Sequence, residues 1–466
     1  MRLTRRTAVA AGLLLAIVAA APAGRGRVAD PGLLRNSFRR PAQNGWVYVH
    51  LEGNPSEIGY QHGYLLAPEI ADAHEAVKLT LTHGSKNWSF FRDAAQNVLW
   101  PHIESEYRRE LEGIVSGLAA RGVTLDLWDV VATNAWLELD PYYVNWADRH
   151  ASRATGEHCS AFVATGSYTR DGKPVIGHNN WTDYMTGARW NVIFDIVPEH
   201  GFHFIMDGMP GLIHSGDDFG INSAGMMIAE TTITGFHGFD PNGIAEFVRA
   251  RKAMQYSRSI DDFARIMKDG NNGGYANNWL IADRNTGEIA SLELGLKHVN
   301  LWRTRNGYFA GSNFPVDPAL IRDETDFKVE DRSLSPNARH VRWDQLMAQN
   351  KGRIDVPASR AFLADHVDTF SGKKDPSERT LCGHIDLSPR GTDPWQPPYG
   401  TAGAVQNKVA DSSMAGKMSF WASMGHSCGI QFKAARHLRE HPEYGWERSE
   451  LRNLDSHPWT LFSATN

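Results

Sequence analysis

The chain has 466 residues, 42% of them hydrophobic and 22% charged, with a formal charge of -5 at pH 7. It is long enough to bury one large core or two smaller ones. With no basic stripe and no long run of one sign, nucleic-acid binding has no electrostatic support.

The N-terminus, MRLTRRTAVAAGLLLAIVAAAPAG, joins a basic head to an apolar stretch and small residues at Ala21-Pro22-Ala23. This is the pattern of a cleavable export signal over residues 1–23. Arg5-Arg6 beside Thr4 resembles a twin-arginine signal, although the usual Phe-Leu after the pair is missing. The apolar run, roughly 16 residues, is short for a bilayer about 30 Å thick. The expected location is therefore periplasmic or extracellular. Residues 24–45 read as a flexible lead.

WVYVHLEG (Trp46–Gly53) alternates like a strand, and Asn54-Pro55-Ser56-Glu57 signals a helix start. Apolar spacing predicts helices over Ile58–Leu81, Ser89–Ala120 and Leu125–Leu139. The stretch before Cys159 is thus mostly helical. After it the period becomes two. Phe162–Tyr168 and Lys173–Asn179 form a hairpin across Arg170-Asp171-Gly172, and Trp190–Pro198 pairs with Phe202–Pro210. Gly220–Ile233 is a further strand region. Helices return over Gly243–Lys268, and Asn277–Leu294 is a hairpin about Asn285-Thr286-Gly287. Pro318–Pro398 reads as polar and loop-rich, and Ser412–Met424 as a compact helix. No strand-helix-strand unit carries a Gly-rich fingerprint, so the expected fold class is a layered α+β architecture with mostly antiparallel sheets.

The chemistry centres on Cys159, at the head of a strand whose partner carries His178, Asn179 and Trp181. If the chain is cut just before it, the freed α-amino group, with a pKa near ~8, can accept the thiol proton. A lone cysteine is otherwise a small buried hydrophobe, His178 a hydrogen-bonded strand-end residue, and Trp181 a packing residue. Cys382 and Cys428 either pair as a disulfide or stay reduced. Asp217-Asp218 reads as a pair capping backbone amides. No cofactor is expected, nor a metal, because no His-Glu-x-x-His or Cys-x-x-Cys spacing occurs. His437 and His441 read as an exposed helix face. Gly425-His426-Ser427-Cys428-Gly429 fits the G-x-S-x-G elbow of serine esterases, but a helical stretch is expected before it and too little chain follows to complete that sheet.

Seven blocks carry a family resemblance. They are Gly53–Leu66, HCSAFV from His158, GHNNWTDY from Gly177, Met209–Ile233 with its Ser-Gly-Asp-Asp-Phe and Glu-Thr-Thr-Ile runs, GGYANNWLIAD from Gly273, GSNFP from Gly311, and Tyr399–Gly416. In order, they resemble the phospholipase B-like (lamina-ancestor-like) family and the penicillin acyltransferase-type autoproteolytic acyltransferases, both N-terminal nucleophile hydrolases. The resemblance implies a four-layer αββα sandwich and scission between His158 and Cys159. It implies a pro-segment over 46–158 that stays associated and a catalytic subunit over 159–466. Cys159 becomes the nucleophile, His178 lines the site, and Asn277 is the oxyanion donor. Trp181, Asn313 and Thr231 are implied on the substrate side. Ala276 replaces an Asn of the motif, which leaves Asn277 and Asn278 competing, and Gln406 stands where the family has Asp. Three functions follow: hydrolysis or transfer of acyl groups from amide-linked small molecules, deacylation of phospholipid esters, or a processed but non-catalytic lipid-binding scaffold. The partners are a small acylated substrate or a lipid, and no nucleic acid.

Overall fold

The structure, a computed structural model, describes residues 29–84, 86–148, 159–216, 219–392 and 395–465. The expected signal peptide, His158 and the Asp217-Asp218 pair lie outside the described residues.

Seventeen strands occur among the described residues. The first twelve are β1 (Phe38–Arg39), β2 (Val47–Gly53), β3 (Ser160–Thr165), β4 (Val175–Asp183), β5 (Val192–Pro198), β6 (Phe204–Gly208), β7 (Gly220–Asn222), β8 (Met226–Thr232), β9 (Asn277–Asp283), β10 (Glu288–Leu294), β11 (Val299–Thr304) and β12 (Gly307–Gly311). The remaining five are β13 (Val367–Asp368), β14 (Lys373–Lys374), β15 (Ala402–Asp411), β16 (Ser419–Met424) and β17 (Thr460–Ser463). A nine-stranded sheet runs β1-β2-β5-β6-β7-β8-β9-β10-β11, and a six-stranded sheet runs β12-β3-β4-β15-β16-β17. Every pairing is antiparallel except β2 with β5.

Strand alternation sorts the side chains into layers. Tyr48, Ile193, Ile205, Met227 and Leu280 of the large sheet meet Ala161, Val163, Ile176, Ala422 and Phe420 of the small one, forming the core between the sheets. The opposite face of the large sheet, including Val49, Phe194, Ile228 and Ile281, is covered by the N-terminal helices and by the helices Glu246–Tyr256 and Ile260–Lys268. The outer face of the small sheet, including Phe162, Val175 and Val409, packs on Trp343, Met347 and Phe362 of the helices Ser335–Gln349 and Val356–Leu363. The chain is therefore the expected α+β fold, with four layers in the order α, β, β, α.

Several local expectations hold for identifiable reasons. Asn54 caps the helix Pro55–Leu65, accepting from the Ser56 and Glu57 amides, while Glu57 accepts from the Asn54 amide in return. β3 and β4 form the hairpin that carries Cys159. Others need correction. Gly220–Ile233 is two strands, not one, because Ser223-Ala224-Gly225 turns the chain, with Gly225 at a φ of +95°. The loop-rich Pro318–Pro398 also holds three helices, Pro318–Glu324, Ser335–Gln349 and Val356–Leu363. Ser412–Met424 is helical only over Ser412–Ala415, and Ser419–Met424 is a strand between β15 and β17. The G-x-S-x-G segment thus follows a strand rather than a helix. Its Ser427 hydroxyl donates to the Leu363 carbonyl at 2.7 Å, and the next helix begins only at Ala434, so no elbow forms.

The segment before Cys159 is built into this frame by close helix contact. Gly59 and Gly63 face Gly113 and Gly117 where the helices Pro55–Leu65 and Ser105–Ala120 cross, and a Cβ on Gly63 would sit 2.1 Å from the Ile114 carbonyl oxygen. Gly63→Ala is expected to cost ~1–3 kcal/mol through overpacking, despite alanine's better helix propensity. A denaturant midpoint equal to or above wild type would contradict this.

Candidate active site

Cys159 sits immediately before β3, fully buried, with a left-handed φ of +81°. A non-glycine residue there is strained by ~1–3 kcal/mol unless its surroundings hold it. They do. Arg339, on the helix Ser335–Gln349, donates from Nη1 to the Cys159 carbonyl at 2.7 Å and to Ser160 Oγ at 3.0 Å. Its Nε donates to Ser335 Oγ at 2.9 Å, and its Nη2 to Asn313 Oδ1 at 2.8 Å. The guanidinium also lies 4.3 Å from the centre of the Trp181 ring.

The sulfur points into polar company. Sγ lies 3.8 Å from Asn180 Oδ1 and 3.7 Å from Glu230 Oε1. Cys159, His178 and Glu230 present one ring nitrogen, sulfur or carboxylate oxygen each, all within 4.8 Å of one another. Tyr275 donates its hydroxyl to Glu230 Oε1 at 3.2 Å. His178 and Asn180 share one face of β4, because they are two residues apart. Glu230 comes from β8 in the other sheet, so the cluster joins side chains of both sheets.

The register separates Asn277 from Asn278. In the β8–β9 ladder, Thr232 stands opposite Asn277 and Glu230 opposite Trp279, so Asn277 shares the Glu230 face. Both atoms of its buried amide lack a hydrogen-bond partner among the described residues. Asn278 faces the other way, and its Oδ1 accepts from Ser291 Oγ at 2.7 Å. A buried, uncommitted amide is costly for folding alone and suits a ligand. Of the two asparagines, Asn277 is the one free to serve.

The other expected residues fall in different places. Asn313 bridges β8 to Arg339, its Nδ2 donating to the Thr232 carbonyl at 2.9 Å. It therefore positions rather than lines the site. Thr231 is pressed between the sheets, where a Cβ on Gly311 would come within 2.4 Å of its Oγ1. Trp181 packs with Ile385, Ala402 and Ala404 on the outer face of the small sheet, with Gly383 against its ring. Both side chains are thus held by packing. Gln406 is not acidic, but its Nε2 donates at 2.6 Å to Asp207 Oδ2, which also accepts from Lys408 Nζ at 3.1 Å. The carboxylate absent at position 406 is supplied from β6. His437 is buried rather than exposed, packed on Phe432, His441 and Tyr444.

Glu230, Asn180 and Arg339 are site residues that sequence reasoning missed. Glu230 left a signal: it is the one carboxylate in the strand MMIAETT. Arg339 left none, because 180 residues separate it from Cys159.

A cleft of about 450 Å³ reaches residues next to this cluster, although Cys159, His178 and Glu230 are not in its lining. Thr182 and Thr232, each two residues along its strand from Asn180 and Glu230, lie in its lining with Tyr275. Trp136, Leu137, Tyr142, Met185 and Trp446 supply apolar wall. Its carboxyl groups are held toward the neutral form. Burial raises Asp140 and Asp183, and lifts Glu447 to about 8. A mostly apolar pocket ending in a few convergent polar groups suits an acyl chain.

Residues 92–299 match the Phospholipase B family model. Over that stretch the chain resembles phospholipase B-like proteins. Phospholipase B of Crotalus adamanteus is 27% identical over 46% of this chain and 42% of its own length. Phospholipase B-like 1 of Homo sapiens is 24% identical over 58% of this chain and 51% of its own. The chain spans about half the length of the curated relatives it matches. Among solved structures, a mutant conjugated bile acid hydrolase from Clostridium perfringens aligns over 57% of this chain and 89% of its own, with 11% identity and a TM-score of 0.34.

The cleft carboxyls set a pH dependence. Glu447 accepts from Thr401 Oγ1 at 2.6 Å and keeps its proton up to about 8, against 4.5 when unfolded. Between these values the folded chain binds the extra proton, so this residue's contribution to stability falls as pH rises. In Glu447→Gln that contribution is gone, and its Tm should fall less than wild type's from about pH 5 to about pH 8. Parallel Tm profiles for the two proteins would refute the assignment.

Proposed function

We propose that this chain is an exported, autoproteolytically activated hydrolase with Cys159 as its nucleophile, removing the acyl group of an amide-linked, apolar-tailed substrate. The observation that carries the reading is the Cys159 sulfur, held in strained backbone beside Glu230, Asn180 and His178.

In maturation the thiol attacks the His158 carbonyl and the acyl group passes from nitrogen to sulfur. Water then hydrolyses the thioester. The α-amine is still an amide nitrogen at this stage and cannot take the proton. Glu230 Oε1, 3.7 Å from the sulfur, is the placed base. Relief of the left-handed strain at Cys159 adds driving force. After the cut the new amine takes the thiol proton, the thiolate attacks the substrate carbonyl, and the protonated amine assists the leaving group. Asn277 donates to the oxyanion. Arg339 acts through the Cys159 carbonyl and is a positioning residue.

The segment 46–158 stays bound after cleavage in this reading. Trp46 and Tyr48 lie in the core between the sheets, and β2 pairs along its length with β5. Residues 1–23 direct export. Among the described residues, no helix is long and apolar enough to cross a membrane. A second reading, deacylation of phospholipid esters, is favoured by the Phospholipase B match. The same acyl-enzyme serves both bonds.

Intact-mass analysis should find two fragments for wild type, the second starting at Cys159, and one unbroken chain for Cys159→Ala. An active protein uncut at that junction would end the proposal. Glu230→Gln should slow the cut without unfolding the chain. In pre-cleaved enzyme, Asn277→Ala should lower kcat ~10²–10³-fold with KM little changed. A loss confined to KM would remove Asn277 from the oxyanion role. Matched acyl amide and phospholipid substrates of one chain length then separate the two readings by kcat/KM.

A further inference from the structure

The other two cysteines meet at His384, one residue beyond Gly383, which packs on the Trp181 ring. Cys382 Sγ and Cys428 Sγ each lie 3.4 Å from His384 Nε2. A ring nitrogen of His366 completes the group, and all four atoms lie within 4.8 Å of one another. Cys382 and His384 are fully buried, while His366 and Cys428 are half-buried.

We propose that His366, Cys382, His384 and Cys428 form a closed, structural zinc site. Tetrahedral zinc with Zn–S of about 2.3 Å and Zn–N of about 2.05 Å sets its sulfur and nitrogen ligands about 3.6 Å apart. The two observed separations of 3.4 Å fall close to that edge without rearrangement. The donor set, two thiols and two imidazoles, is the one zinc favours over calcium or magnesium. A ligating histidine is normally oriented by a carboxylate behind its other nitrogen. Here His384 Nδ1, buried and without a hydrogen-bond partner among the described residues, faces Asp386 Oδ1 at 4.0 Å. Asp386 in turn accepts from the Tyr184 hydroxyl at 2.8 Å. His366 Nε2 is likewise buried without a partner among the described residues.

Binding replaces two thiol protons by one divalent ion, so Zn²⁺ plus two Cys–SH gives a neutral bis-thiolate site and two H⁺. No oxidant or reductant is needed. The sequence hides the site because its ligands are spaced as a lone His, a Cys-x-His and a lone Cys. The expectation of no metal rested on the absence of a compact motif, and the ligands instead come together from three separate loops.

The placement suggests what the ion does. Gly383, between two ligands, packs against the Trp181 ring, where a Cβ would come within 2.2 Å. Asn179 Nδ2 donates to the Leu363 and Leu381 carbonyls at 2.9 Å each. Zinc would thus pin the loops behind β4, whose inner face carries His178 and Asn180.

The test is metal analysis of the full chain, purified without chelator and loaded with zinc. One zinc per chain is expected in wild type and in Cys159→Ala, and none in the Cys382→Ser/Cys428→Ser double variant. Cobalt substitution of wild type should give the visible and thiolate charge-transfer bands of a tetrahedral sulfur-ligated ion, which requires no variant to fold. Chelation should lower Tm, and added zinc should restore it. Substoichiometric zinc after loading overturns the proposal. So does a wild-type mass two hydrogens light with a Cys382–Cys428 cross-linked peptide, which would make the pair a disulfide.

Discussion

The carbonyl of Cys159 is held by a guanidinium, and the rest of the site depends on that bond. Arg339 reaches it at 2.7 Å from a helix packed on the outer face of the small sheet. The same group engages Ser160, Asn313 and the face of Trp181. A planar fork that donates in several fixed directions can do this, whereas a lysine could not. Its contacts fix the residue before β3 in a conformation that side chains disfavour, and so aim the sulfur inward between the sheets. Truncating this arginine would leave several buried acceptors unpaired, each at ~1–3 kcal/mol.

Around that point the two sheets are joined by polar groups as well as by apolar packing. Asp207 of β6 binds Gln406 and Lys408 of β15, and Lys408 Nζ donates to Gln406 Oε1 at 2.6 Å. All three side chains are fully buried. Burying an ion pair seldom adds net stability, and removing one member is costly. The pairing sets geometry instead. Lys408 stands opposite His178 in the β4–β15 ladder, so the ion pair fixes the strand that carries the inward-facing His178 and Asn180.

The fold was legible where local chemistry and periodicity agree. The Asn54 capping box, the hairpin about Asp171-Gly172 and the period-two strands after Cys159 all formed as the residues dictate. Legibility failed where two periods fit equally. Phe420, Ala422 and Met424 alternate, yet the small residues among them also suit a helix, and pairing with β15 and β17 decides the matter. Of the candidate site, Cys159, His178 and Asn277 were named from motif resemblance. Choosing Asn277 over Asn278 needed register, since adjacent strand residues face opposite ways and only one amide is already bonded to Ser291. Arg339 is a wholly tertiary feature, and the four-ligand cluster around His384 is another.

Glu230 links the two stages of the proposed chemistry. Before cleavage the Cys159 nitrogen is a neutral amide, and a carboxylate 3.7 Å from the sulfur is the group placed to draw off the thiol proton. After cleavage that same residue carries an amine that must hold a proton during turnover. The carboxylate then changes from base to counter-ion and favours the charged amine. Tyr275, which donates to the same carboxylate oxygen, reaches the cleft lining. Glu230 sits on β8 and Cys159 at the head of β3, so the spacing between the two sheets sets how strongly the carboxylate acts. That spacing is fixed where Thr231 meets Gly311, whose lack of a side chain lets the sheets approach. A larger residue at that glycine would wedge the carboxylate away from the sulfur and weaken maturation and turnover together.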